Sequence, residues 1–513
     1  MDKIKSFFFY DLETSGLSSR EDRIMQFAGL RTDLDLNPVA EPVNILLKLP
    51  DDTLPSPGAI AVTKITPQMT QQGLSEAEFC RYVTDEIFIP GTCSLGFNSV
   101  RFDDEFMRHL FWRNFYDPYE WQWKDDRSRW DILDVVRMTR ALRPEGINWP
   151  VQQKEVKGEM VEVKTNRLEL ITKLNHIEHE HAHDALADVY ATVAVAKLIK
   201  EKQPELFNYL LKMRDKKQVS RLVNLENPVP FVYTSGRYSS EYDKTTVAFP
   251  IAPSKNGNVL VWNLRYSAES FLQAGDRIFD MGDRPLGRGR PEAYASRGTP
   301  DALRAEGANA VGDNSRQDPM SKIPKVTSQL AGTSLPVKEL KYNRCPAVAP
   351  LGVLDKNNGW EKIGLDKETV QKNLQELLKH PEIAEQAREA NENRPEFPKA
   401  VDPESALYDG FLDDKDRNLC GLVRTANKNQ LADLHPEFTD ERLEPLLLHY
   451  KAKNFPDTLS EDEYQKWQEY RLARLQRQAG SFEKQLEELA GRVDPFIIEE
   501  LLLWEQSLAE TDY

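Results

Sequence analysis

The stretch that most constrains this chain is SFFFYDLETSG, residues 6–16. Four consecutive bulky residues, Phe7 to Tyr10, read as a buried strand, because only burial on both faces accommodates an unbroken apolar run. The run ends in Asp11 and Glu13, two residues apart. Strand side chains alternate faces with period two, so both carboxylates point to the same side. Two like charges held side by side repel unless something cationic lies between them. Either a metal relieves that repulsion, or the pair is a solvated strand end. The basic flank before the run invites a signal-peptide reading, but the two carboxylates interrupt it and no small-residue cleavage site follows.

A chain of 513 residues exceeds one comfortable core, so two to four domains are expected. It contains no run of about 18 apolar residues, which excludes a transmembrane helix from the expectation. Cys80, Cys93, Cys345 and Cys420 are scattered without CxxC spacing, which implies buried, reduced thiols and a cytoplasmic setting. A net charge of −16 argues against a nucleic-acid partner for the chain as a whole, yet distribution matters more than the sum. Residues 197–221 carry eight Lys/Arg against three Asp/Glu, a basic surface or a solvated helix face.

The first two hundred residues read as α/β. FFFYDLE, IMQFAGLRTD, VNILLKL and CSLGFN are strand-like, and residues 183–202 form the clearest helix, with lysines gathered at its end. From about 218 the texture changes to short strands: PFVYTS, TTVAFPIAP, NVLVWNLRY and later SLPVKELKYNRCPAVAP. Between them, residues 282–322 are rich in Gly, Pro, Arg and Ala with few large apolar side chains, which predicts a flexible insertion. An arginine-rich arm touching DNA is the sharper reading, but acidic residues match its arginines. From about 355 apolar residues recur at three and four, which predicts a helical C-terminal domain. The expected division is 1–203, 204–352 and 355–513.

Three places could carry chemistry: the Asp11/Glu13 pair, Asp103 in GFNSVRFDDEF, and AHDALAD, where His183 opens a helix and Asp188 lies one turn inside. Several carboxylates and one histidine suit two-metal phosphodiester hydrolysis. Hard divalent cations prefer oxygen ligands, and a histidine of near-neutral pKa can deprotonate the attacking water. The cluster HIEHEHAHD, with His176, His179, His181 and His183, matches no usual structural zinc spacing. Residues 108–137 interleave aromatics with arginines, as single-strand binding surfaces do. Phe111, Phe115 and Trp130 are assigned there to the core, and Arg108, Tyr119, Trp123 and Arg137 to strand contacts.

DLET, FNSVRFDDEF and HDALAD, in that order, resemble the three motifs of the DEDDh exonuclease superfamily. QFAGLRTD, SVRFDDE, FWRNFYDPYEW, SRWDILDV, ALRPEGINWP, LYDGFLDDKDR and YKAKNFPDTLSEDEYQKWQEYR extend the resemblance to the bacterial exonuclease I family over nearly the whole chain. The departures are the 282–322 insertion, Ser15 after Thr14, and Lys64 in VTKITPQ, which bears on contacts near the strand terminus.

The resemblance implies an α/β ribonuclease-H-like exonuclease domain with a mixed sheet, an SH3-like β-barrel domain and an all-α C-terminal domain. It implies Asp11, Glu13, Asp103 and Asp188 as metal carboxylates and His183 as general base. Asp104 and Glu105 are set aside because the motif aspartate follows Phe102, and Asp184 because it caps the helix. Arg167 would hold the terminal nucleotide's phosphate, with Glu13 also touching substrate. The implied reaction is Mg²⁺-dependent digestion of single-stranded DNA from its 3′ end to 5′-mononucleotides in DNA repair, with two ions per site and Mn²⁺ as substitute. The implied partner is the acidic C-terminal tail of single-stranded DNA-binding protein, received in part by Arg143, and the protein is expected to be a monomer without membrane association. An RNA-directed exonuclease and a non-catalytic binding protein are the alternatives.

Overall fold

The computed structural model describes residues 4–156, 159–179, 184–274, 336–394 and 398–510. The SFFFYDLET run is strand β1 (Ser6–Thr14) at the centre of a five-stranded sheet. The order is β3 (Val43–Leu46), β2 (Ile24–Thr32), β1, β4 (Thr92–Gly96), β5 (Ser128–Asp131). β2 runs antiparallel to β1 with Glu13 opposite Gln26, whereas β4 pairs parallel to β1, from Ser6–Thr92 to Phe9–Leu95. The sheet is therefore mixed.

The apolar run divides between two cores, as its alternation requires. Phe8, Tyr10 and Leu12 join Phe27, Phe79, Phe106, Phe111 and Trp121 on one face. Phe7 and Phe9 join Trp130, Ala185, Val189 and Val193 on the other, under the helix Ala185–Lys202. Asp11 and Glu13 continue the Phe7/Phe9 face, so they meet the first turn of that helix. Phe111, Phe115 and Trp130 are buried, and all four cysteines are free and buried. β5 and the hairpin of β6 (Val151–Val156) and β7 (Glu159–Lys164) are additions to the strands read from sequence. They are short or polar, and lack the apolar signal that marks the others.

The second unit is an antiparallel five-stranded sheet, ordered β11 (Val337–Leu340), β10 (Val259–Asn263), β9 (Thr245–Pro253), β8 (Phe231–Thr234), β12 (Ala347–Pro350). β10 and β11 pair directly, from Val259–Leu340 to Trp262–Val337, although residues 282–322 fall between them. That stretch lies outside the described residues. The helices Lys367–Lys379 and Glu382–Glu392 are bound to this sheet unit. Asn373 Nδ2 donates to the Leu264 carbonyl at 2.8 Å, and Lys255 N donates to Asn391 Oδ1 at 2.8 Å. Helical texture begins near 355, but these two helices pack with the strands.

The remaining helices, among them Asp414–Thr425, Leu443–Asn454, Glu461–Leu489 and Pro495–Ala509, grip the first unit through two shared apolar cores. Phe482, Ile497, Leu501 and Trp504 pack with Met25, Leu49, Ile60 and Ile65. Val423, Leu446 and Tyr450 pack with Trp112 and Phe115. No helix among the described residues is long and apolar enough to cross a membrane.

Candidate active site

β1 delivers Asp11 and Glu13 rigidly, because β2 pairs with it through Thr14, β4 pairs with it as far as Phe9, and its aromatics are anchored above and below. Both carboxylates are buried. The helix Ala185–Lys202 begins opposite them, capped by Asp184, whose Oδ1 accepts from the backbone of Leu186 and Ala187. That cap was the role expected of Asp184. Asp188, in the first turn, thereby comes to Asp11 and Glu13, and the three offer carboxylate oxygens all within 4.8 Å of one another. Asp103 opens the helix Asp103–Arg113, and its Oδ1 accepts from Leu12 N at 3.2 Å, between the two carboxylates of β1. Four acids from a strand and two helices thus gather at one strand end. Their oxygen donors suit hard divalent cations such as Mg²⁺ or Mn²⁺.

The loop leaving Glu13 is tightly built. Thr14 Oγ1 donates to the Gly16 carbonyl at 2.7 Å, and a Cβ on Gly16 would lie 2.4 Å from the Asp22 carboxylate. Burial pushes the Asp22 carboxyl up to about 6, against backbone hydrogen bonding and Arg23.

His183 lies outside the described residues. His179 is the described histidine that reaches the cluster, with Nε2 donating to Asp188 Oδ1 at 2.6 Å and Nδ1 3.1 Å from Thr172 Oγ1. Sequence reading had placed His179 only in a rejected zinc pattern. Glu169 was also missed. Burial raises its pKa, Arg167 opposes the rise, and the Asp188 carboxylate adds to it, so an extra acid lies within electrostatic reach of the site. Neither residue belongs to a recognisable spacing; a chain turn brings them in.

The expected strand contacts divide. Trp123 is 64% exposed and free to stack. Tyr119 is half-buried, under the Arg108 guanidinium at 5.3 Å. Arg108 itself is buried, donating to Glu105 Oε1 at 2.9 Å and Gln122 Oε1 at 2.8 Å. Arg137 pairs with Asp134 at 2.8 Å and lies against Gly236 of the β unit. Arg167 is buried at the N-terminus of the helix Leu168–Leu174, 3.8 Å from Glu169. Arg143 donates to the carbonyls of Leu142 and Val353. Lys64 is exposed and closes the helix Pro57–Thr63 in a left-handed conformation, φ 61°.

The mixed sheet and the acids at its central strand end define an exonuclease of the ribonuclease-H-like class. The exonuclease family model matches residues 8–196, the exonuclease I SH3-like domain residues 214–280 and 324–393, and the exonuclease I C-terminal domain residues 401–508. Exodeoxyribonuclease I of Haemophilus influenzae is 37% identical over 488 residues, covering 94% of this chain and 93% of the relative. That of Escherichia coli is 36% identical, covering 91% and 89%. The solved E. coli exonuclease I in complex with a dA16 oligonucleotide superposes with a TM-score of 0.81 at 34% identity, covering 98% of this chain and 100% of that one. A solved exonuclease I from Methylocaldum szegediense has a TM-score of 0.79 at 35% identity, covering 98% and 99%. The chain belongs to the exonuclease I family.

Proposed function

We propose that Asp11, Glu13, Asp103 and Asp188 hold two divalent cations, Mg²⁺ in the cell and Mn²⁺ as a working substitute, and that His183 is the general base. This exodeoxyribonuclease degrades single-stranded DNA in the 3′ to 5′ direction. The convergence of Asp11, Glu13 and Asp188 within 4.8 Å carries the assignment of roles. When bound, the cations would activate a water and neutralise charge on the scissile phosphate.

The chain's own residues do the rest. Asp11 and Glu13 hold their carboxylates still because β1 is clamped on both faces, so little reorganisation accompanies reaction. His183 would take the proton of the attacking water, a task that a near-neutral imidazole performs near pH 7. Trp123 offers a base-stacking face. Arg167 is assigned to the terminal phosphate. Arg108, Tyr119 and Arg137 act on the strand through the walls they brace, since Arg108 and Arg137 spend guanidinium hydrogen bonds inside the protein.

Partners follow the same reading. A solved relative is a complex of single-stranded DNA-binding protein and exonuclease I with an inhibitor. We assign this chain the same partner through its acidic C-terminal tail, with Arg143 contributing. We also assign it a monomeric state, a cytoplasmic location and a role in DNA repair.

The deciding assay uses purified protein, Mg²⁺ and single-stranded DNA labelled at either end, with and without EDTA. Release of the 3′ label first, its loss in EDTA, and sparing of duplex DNA are the expected results. Preference for an RNA oligomer, or unchanged release by Asp11→Ala, would overturn the assignment.

A further inference from the structure

One short segment of the helical unit, Asp402–Tyr408, fastens to the loop that follows β1 and to the helix Asp103–Arg113, two of the three places that carry the proposed metal carboxylates. Asp402 caps the 3₁₀ helix Pro403–Tyr408 and is itself held by Arg474 and the Tyr470 hydroxyl, each at 2.8 Å. From this anchored base, two side chains reach across to the exonuclease unit.

The first is Glu404, which is 1% exposed. Its Oε2 accepts from Arg23 at 2.5 Å, and its Oε1 accepts from His449 Nδ1 at 3.1 Å and pairs with Lys453. Arg23 is stitched to Ser15, two residues beyond Glu13. Arg23 N donates to Ser15 Oγ at 2.9 Å, and Ser15 N donates to the Arg23 carbonyl at 2.8 Å. Ser405 Oγ adds a bond to the Arg20 carbonyl at 3.1 Å in the same loop.

The second is Tyr408, whose hydroxyl donates to Glu105 Oε2 at 2.5 Å. Glu105 is two residues beyond Asp103. Its Oε1 also accepts from Arg108 and from Arg344 of the β unit, each at 2.9 Å, so all three units meet on one carboxylate. The same helix is held again where Trp112 Nε1 donates to the Pro403 carbonyl at 2.8 Å.

The Asp402–Glu404–His449 group has metal-like spacing, but Arg23, Lys453 and Arg474 already supply its positive charge. It is a clamp rather than a cation site.

We propose that Glu404 and Tyr408 are positioning residues for the metal carboxylates, acting through Arg23–Ser15 on Glu13 and through Glu105 on Asp103. On this proposal, which rests on the metal assignment above, the helical unit helps set the active-site geometry. Residues that orient metal ligands from behind characteristically change metal affinity when lost.

The test uses the full chain and two readouts that long DNA does not enter. One is Mn²⁺ affinity by calorimetry. The other is hydrolysis of thymidine 5′-(p-nitrophenyl phosphate), an ester carrying a single nucleotide. Tyr408→Phe, which removes one hydroxyl, is expected to weaken Mn²⁺ binding by about tenfold and to slow the ester reaction most at limiting Mn²⁺, with recovery at saturation. Glu404→Gln should do the same more strongly. Glu463→Gln, which disturbs the Lys451 pair and touches the Ser460 cap, both inside the helical unit, should change neither readout.

Wild-type Mn²⁺ affinity and ester turnover in Tyr408→Phe, with only long DNA affected, would overturn the proposal. So would an equal loss in Glu463→Gln, which would mark generic destabilisation. If Asp11→Ala binds Mn²⁺ as well as the wild type does, the metal assignment itself fails.

Discussion

Two acidic clusters in this molecule invite comparison. Asp11, Glu13 and Asp188 bring their oxygens together at the end of β1, where strand and helix termini meet. Asp52, Asp402 and Glu404 gather at the junction with the helical unit, threaded by Arg23, Lys453 and Arg474. In the second group the chain supplies the neutralising charge. Burial alone would raise Glu404, but Lys453 and Arg23 hold it well below the ordinary carboxylate range. Burial likewise opposes ionisation of Asp52, and Lys453, Arg474 and Arg23 overcome it. For the first group, exchangeable metal ions are the proposed neutralising charge. On that proposal the same residue type acts as glue at one site and as a ligand set at the other, and the origin of the countercharge separates them.

Removing one acid from each group gives the sharpest contrast. Asp188→Ala should lower Mg²⁺-dependent nucleotide release by about 10³-fold or more while single-strand binding and melting stay near wild type. Full activity would erase the distinction. Glu404→Ala should instead cost about 3–5 kcal/mol of stability in denaturant unfolding, because it leaves buried cations uncompensated. A neutral result there would show that Arg23 and Lys453 reach water.

Cation binding should separate the groups next. Mn²⁺ at about 100 times its dissociation constant should stabilise the wild type by about 2.7 kcal/mol for each ion bound, read as a rise in melting temperature. EDTA should remove that gain, Asp11→Ala should lack it, and the gain should survive any change confined to the second group's rim.

Acid tests the clamp. Burial raises Glu105, but Arg108, Arg344 and the Tyr408 hydroxyl bring it down to about 2. Its folded pKa is thus below its unfolded value of about 4.3, so its stabilisation is complete above that value and is lost as pH falls toward 2. Glu105→Gln should narrow the wild type's stability advantage over just that interval, measured as melting temperature against pH. Smallest of all, Trp123→Ala should weaken single-strand binding by about 1–2 kcal/mol with little change in melting, whereas a core tryptophan such as Trp130 would lose stability instead.

How much was legible varies with the length of the signal. β1 could be read because four bulky residues have few other fates, and the helix Ala185–Lys202 because its cap, interior and lysine-rich end agree. β5 and the β6–β7 hairpin left no such trace. Arg108 and Arg137 were read as strand contacts because alternating aromatics and arginines describe both a stacking surface and a braced core. Burial chose the core for Arg108. Arg23 and Glu404 lie 381 residues apart, and no local pattern joins them.

By itself, the sequence determined that Asp11 and Glu13 share a face, since strand alternation is a local property of the backbone. It also determined that Asp188 sits one turn inside a capped helix. Only the tertiary structure decided that this face meets that helix, that His179 reaches Asp188, and that the Asp402–Tyr408 segment, 381 residues from Arg23 and 303 from Glu105, fastens the loop after β1 and the helix Asp103–Arg113. Those outcomes depend on long-range packing and on where buried charges find partners, and neither is encoded in the spacing of neighbours along the chain.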